Sequence, residues 1–158
     1  MPKYRLLTHE ELMEFEKEFI DFLVVNGITA PDWQALKEEK PKEAVKVIAS
    51  FSDVIFEGSM RKIKFLELRK TREVRCYQCL DKKMILVAMQ ADPDLDIDFT
   101  SQEGLMQAMT NPPKGLQVFT SEKEYEGVRE EELFLMTRQG CLVSDGKLFK
   151  ALSMALVS

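Results

Sequence analysis

The sequence predicts an α+β domain: N-terminal helices, a central antiparallel meander of three to four strands, and C-terminal helices. Three observations carry that expectation. Apolar residues recur at three- and four-residue spacing as far as about residue 56. The spacing then shortens to alternation between 63 and 89. The helical period returns at the C-terminal end, in Leu148, Phe149, Leu152 and Leu156. With 158 residues, 45% of them hydrophobic and 31% charged, the chain has the length for a single domain over 1–158 and the composition of a folded one.

Thr8 followed by Glu11 is a capping box, and Leu7 and Leu12 flank it as a hydrophobic staple, so a helix begins at His9. Leu12, Phe15, Phe19, Phe22 and Leu23 continue its apolar face to Val25, where Asn26-Gly27 stops it. Pro31 suits the first turn of a second helix carrying Trp33 and Leu36. Pro41 opens a third, whose Ala44, Ile48, Phe51 and Ile55 bring it to Phe56. Residues 59–68 fit either a continued helix (Phe56, Met60, Ile63) or a first strand (Ile63, Phe65). Val74, Cys76 and Leu80 alternate with Arg75, Tyr77 and Cys79, and Met84 to Met89 is apolar on both faces. Polar turns at 70–72 and 81–83 join these strands. Further on come an acidic extended segment over 92–100, a short helix from Gln102 to Met109, a fourth strand at Leu116 to Phe119, and an acid-rich helix through Leu133 and Met136 to Gln139-Gly140. Ser144 or Asp145 caps the last helix.

Several functional classes drop out. No apolar run approaches the roughly 20 residues of a membrane-spanning helix. The N-terminal residues enter a charged helix without the apolar stretch of a signal peptide, which reads as cytoplasmic. Three cysteines are an odd number and read as reduced thiols. Cys76 and Cys79 form a lone CxxC placed mid-strand, not at a helix N-terminus, and strand alternation sends Cys76 inward and Cys79 outward. One histidine, His9, excludes any mechanism needing two. The glycines of Gly140 and Gly146-Lys147 are misspaced for a phosphate loop, with Leu148 where a hydroxyl must bind Mg²⁺. No cofactor is implied.

Two charged segments remain as candidates. Asp92, Asp94, Asp96, Thr100 and Glu103 occupy positions 1, 3, 5, 9 and 12 of an EF-hand loop, but Ile97 stands where that loop needs glycine. In an extended chain Asp92, Asp94, Asp96 and Asp98 share one solvated face, with Leu95, Ile97 and Phe99 on the other. The chemical alternative is a weak divalent-metal site or metal-dependent enzyme using Asp92, Asp94, Asp96, Asp98 and Glu103. The net charge is −5, from 22 Lys and Arg against 27 Asp and Glu, yet Arg61, Lys62, Lys64, Arg69, Lys70, Arg72 and Arg75 face only Glu67 and Glu73 within 61–75. Gathered on one side and joined by Tyr77 as a stacking surface, these cations would bind phosphates or nucleic acid. The plainer reading is a solvated sheet face paired with the acids of 122–132.

The stretch from Phe19 to Ile28, the Lys62-to-Arg69 run before Cys76, and Ser144 to Leu152 together resemble a family of small bacterial proteins catalogued as a domain of unknown function. The resemblance implies a small soluble bacterial protein and transfers no catalytic or binding residue. The leading functional expectation is therefore a non-enzymatic interaction domain. It would contact another protein, or a second copy of itself, through an apolar or methionine-containing helical surface. Nucleic-acid or phosphate binding through 61–75 is the alternative, and metal-dependent catalysis through 92–103 the third.

Overall fold

The structure, a computed structural model, describes residues 2–157, the last of them by its backbone alone. The chain forms two compact units that divide between Arg61 and Lys62. Among the described residues, no helix is long and apolar enough to cross a membrane.

The first unit holds four helices: α1 (His9–Glu14), α2 (Glu16–Val25), α3 (Ala30–Glu39) and α4 (Pro41–Arg61). The capping box forms as the sequence requires: Glu11 N–H donates to Thr8 Oγ1 at 3.2 Å, and Thr8 N–H to Glu11 Oε1 at 2.9 Å. Arg5 forks onto the same carboxylate at 2.8 and 2.9 Å, which draws the Glu11 carboxyl down to about 2. The single helix expected over 9–25 is instead two, because Phe15 leaves helical geometry (φ −103°, ψ 26°) while packing its ring against the core of the unit. That core is Leu7, Phe19, Leu23 and Phe51, with the Phe19 ring 5.0 Å from Phe51 and 5.2 Å edge-on to Trp33. Residues 3–7 are strapped along α4. Asp53 accepts the Lys3 and Tyr4 N–H groups at 2.8 and 3.0 Å, and the fully buried Ser52 accepts the Leu7 N–H at 3.0 Å.

α4 runs to Arg61, beyond the expected end at Phe56, crossing Gly58 where an added Cβ would meet open space. Residues 59–68 are thus divided: helix through Arg61, then strand from Phe65.

The second unit is a five-stranded antiparallel sheet, one strand more than the largest number expected. β1 (Phe65–Arg69), β2 (Glu73–Cys79), β3 (Lys83–Ala91) and β4 (Leu116–Glu124) form the meander, and β5 (Leu142–Ser144) returns to pair with β1. The order across the sheet is β4-β3-β2-β1-β5. Helices interleave with the later strands: α5 (Gln102–Thr110) before β4, α6 (Arg129–Arg138) before β5, and α7 (Lys147–Val157) last.

The register Val74↔Met89 and Cys76↔Val87 gives one face an apolar layer, on which Phe99, Leu105, Ala108 and Leu152 pack with α5 and α7. α5 approaches closely because its Gly104 has no Cβ; one added there would lie 2.3 Å from the Asp98 carbonyl oxygen. Gly146 (φ +85°) turns the chain from β5 into α7 directly over the Phe65 ring, which packs 5.6 Å from Phe149. Both expected caps contribute there: Gly146 N–H donates to Ser144 Oγ and Lys147 N–H to Asp145 Oδ1.

The acidic segment is not the extended strand expected. It turns at Pro93-Asp94, with Leu95 N–H bonded to the Asp92 carbonyl, because Leu95, Ile97 and the fully buried Phe99 fold back onto the sheet. Cys79 is a second correction. It lies on the opposite face from Cys76, as alternation requires, but it is 5% exposed and not outward to solvent, on the face where Arg129 of α6 donates to its carbonyl. Leu80, expected inside, is instead exposed at the strand end, where its carbonyl accepts from Tyr125 Oη and Arg129 Nε.

Candidate binding groove

On the sheet face opposite α5 and α7, the register aligns Leu66, Tyr77, Leu86 and Ser121 in one row, and Cys79, Met84 and Lys123 in the next. α6 is fixed at one end of this face. Arg129 donates to the carbonyls of Ile63, Cys79 and Leu80, terminating the backbone at the ends of β1 and β2. Lys123 Nζ reaches Glu132 Oε1 at 3.0 Å, tying α6 to β4. Tyr125 donates to the Leu80 carbonyl at 2.7 Å, and burial pushes its hydroxyl up to about 12, so it stays a protonated donor.

Between α6 and strands β2 to β4 a groove of about 430 Å³ remains open. Its floor is Tyr77, Met84 and Leu86; Leu135 and Met136 form the α6 wall; Arg75, Ser121, Glu122, Lys123, Glu132 and Gln139 supply polar groups. Arg75 is held by Glu73 at 2.7 Å and lies 3.5 Å from the Tyr77 hydroxyl. Tyr77 first, then Glu73, raises the Arg75 pKa above the ordinary guanidinium range, so it is a fixed cation. Glu132 Oε2 is buried and has no hydrogen-bond partner among the described residues. The combination of an apolar trough, two methionines and a few fixed polar groups suits non-covalent recognition.

Of the basic segment, the groove takes Arg75 and Tyr77 only. Arg69 lies on the opposite face, bonded to Glu67 at 2.5 Å and to Gln102 at 3.1 Å. Lys70 and Arg72 line an open cleft at the sheet end with Gln90, Asp92 and Gln117. Lys62 and Lys64 are exposed ahead of β1, and Arg61 pairs with Glu57 in the first unit. The six cations of the second unit are thus not gathered on one side, because strand alternation separates Arg69 from Arg75.

The acids are similarly dispersed. Asp92 borders that end cleft, Asp94 is exposed in the turn, and Asp96 and Asp98 border a 290 Å³ pocket beside Gln107 and Asn111. Asp98 accepts from the Thr100 N–H and hydroxyl, which lowers its pKa, and Glu103 sits in the first turn of α5. Among the described residues no three His, Cys, Asp or Glu converge to hold a metal ion. The three cysteines are buried free thiols; desolvation pushes Cys76 up to about 12 and Cys79 up to about 11, the reverse of a nucleophile's environment.

Of the groove's other residues, Met84, Leu86 and Met136 were read as apolar positions of a strand and a helix and the acids of 122–132 as partners of the basic segment, but not as the lining of one groove. Ser121 and Lys123 lie beyond the expected end of the fourth strand, and Leu135 and Glu132 join Tyr77 at the groove only through the placement of α6 against the sheet. The Leu133 and Met136 spacing was the available signal that one side of α6 is apolar.

Comparison with curated proteins and with solved structures finds no match to this chain. A family model, however, matches residues 1–157, almost its whole length. The chain belongs to that family, described as a family of unknown function, DUF6495.

Proposed function

We propose that this protein is a non-enzymatic interaction domain whose α6–sheet groove receives a short apolar segment of a partner protein. The observation that carries the reading is Leu135. This leucine is 57% exposed on the rim of a trough floored by Tyr77, Met84 and Leu86, beside the flexible Met136. Large apolar side chains left open beside a concave apolar floor mark contact surfaces, and methionines adapt to varied partner side chains. Arg75 and Lys123 at the margin orient the segment without chemistry.

The test is selection of a displayed random-peptide library on the immobilised full-length protein. Enriched peptides should carry aliphatic side chains and bind Leu135→Asp at least about tenfold more weakly, as loss of one anchoring contact implies. Peptides that bind Leu135→Asp and the natural protein alike, or the absence of any enrichment, would overturn the assignment.

A further inference from the structure

The strand order leaves two sheet edges, and they are built differently. β4 presents the exposed polar residues Gln117, Thr120, Ser121, Glu122, Lys123 and Glu124, with Lys83 paired to Glu122 at 3.2 Å. Charges of this kind stop an edge from pairing with another chain. β5 has none. Leu142 is 72% and Val143 64% exposed, and the register Glu67↔Leu142, Leu66↔Val143 puts them on opposite faces of the sheet. A polar-out strand would expose one of the two at most.

We propose that β5 pairs antiparallel with β5 of a second copy about a two-fold axis through Val143, joining two five-stranded sheets into one of ten strands. The self-complementarity of the strand selects a second copy as the occupant. Antiparallel pairing centred on Val143 sets Val143 against Val143, and Leu142 of each copy against Ser144 of the other, so no like charges meet. Asp145, the charge next to the strand, would come beside the uncharged Cys141 of the other copy, and Lys147 already lies in α7. A two-fold perpendicular to the sheet preserves its faces, so the Val143 pair lies on the α6 side, and closure uses both copies of this edge.

Light scattering on the full chain should show a mass rising with concentration from 18.2 kDa toward about twice that value. Val143→Lys should hold the monomer mass at every concentration with an unchanged circular dichroism spectrum. Val143→Cys provides a second measurement, since directly facing strand residues have Cβ atoms about 4.5–5.5 Å apart, close enough for a disulfide after slight adjustment. Diamide, accepting the two thiol hydrogens, should link Val143→Cys into a covalent dimer at least tenfold faster than Gln117→Cys on the β4 edge. A concentration-independent monomer for the natural chain, a dimer that survives Val143→Lys, or equal cross-linking of the two cysteine variants would overturn the proposal. Leu135→Asp should leave the mass unchanged, which separates this surface from the groove.

Discussion

Ser52→Ala isolates the strap that binds the N-terminal residues to α4. Ser52 is 0% exposed and its hydroxyl makes two bonds: it accepts the Leu7 N–H at 3.0 Å and donates to the Ile48 carbonyl at 2.7 Å. Alanine removes both, but their costs differ. The Ile48 carbonyl keeps the i→i−4 bond from the residue 52 N–H, so it loses only a second donor. The Leu7 N–H loses its partner where the residue is 7% exposed, and an orphaned buried donor costs roughly 1–3 kcal/mol. The void is a single oxygen atom and adds little. Urea unfolding followed by circular dichroism should show this loss with an unchanged denaturant slope. In amide hydrogen exchange, Leu7 should lose protection before the rest of its unit. Ser153→Ala is the matched control, because its hydroxyl donates to the Phe149 carbonyl at 2.8 Å while accepting no backbone N–H among the described residues; its cost should stay below about 0.5 kcal/mol. Equal losses in the two variants, or an unchanged Leu7 protection factor in Ser52→Ala, would refute the reasoning.

Two glycines should respond to alanine with opposite signs, measured by the same unfolding assay. Gly146→Ala forces a Cβ to 2.6 Å from the Phe65 ring at φ +85° and should destabilise by at least about 1–2 kcal/mol, whereas Gly58→Ala, in open space within α4, should stabilise by roughly 0.5–1 kcal/mol. Glu11 gives an acid-side signature. Because Arg5 and the Thr8 N–H hold its folded value near 2 against an ordinary 4.5, the stability it contributes is complete above pH 4.5 and is lost as pH falls toward 2. Glu11→Gln should flatten that part of an acid-unfolding profile; an unaltered profile would show that the Arg5 fork does not persist in solution.

The parts of the fold legible in the sequence were those set by neighbours in the chain. Thr8 and Glu11 name their own cap, Pro31 and Pro41 mark helix starts, and the alternation from Val74 to Cys79 fixes a strand. What escaped depends on distant residues. β5 has three residues, too few to show a period, and exists because β1 offers it an edge. The break at Phe15 coincides with the packing of its ring against the core of the unit and involves no helix-breaking residue. Charge density along 61–75 suggested one basic surface, but composition does not record which face a side chain takes; Arg69 and Arg75 were near in sequence and are divided by the sheet. Arg75 and Tyr77, read from the sequence on one side of an alternating strand, do share a face, as residues two apart on a strand must, while their α6 partners needed the fold.

The return of β5 to β1 carries a consequence for how the chain emerges during synthesis. The four meander strands join neighbours in sequence and can assemble early, as local contacts do. The outer side of β1 must wait for Leu142, about 70 residues beyond Arg69, an interval of roughly 4–15 s at ordinary rates of translation. Through that interval β1 is a nascent edge that could recruit strands from neighbouring chains. It bears Glu67 and Arg69 side by side on one face, an ion pair only 16% and 29% exposed in the finished protein. Burying such a pair contributes little to final stability, but an unwanted strand docking early would have to desolvate both charges before α5 is in place to supply Gln102. The charges that look misplaced in a completed sheet protect it while it is still incomplete.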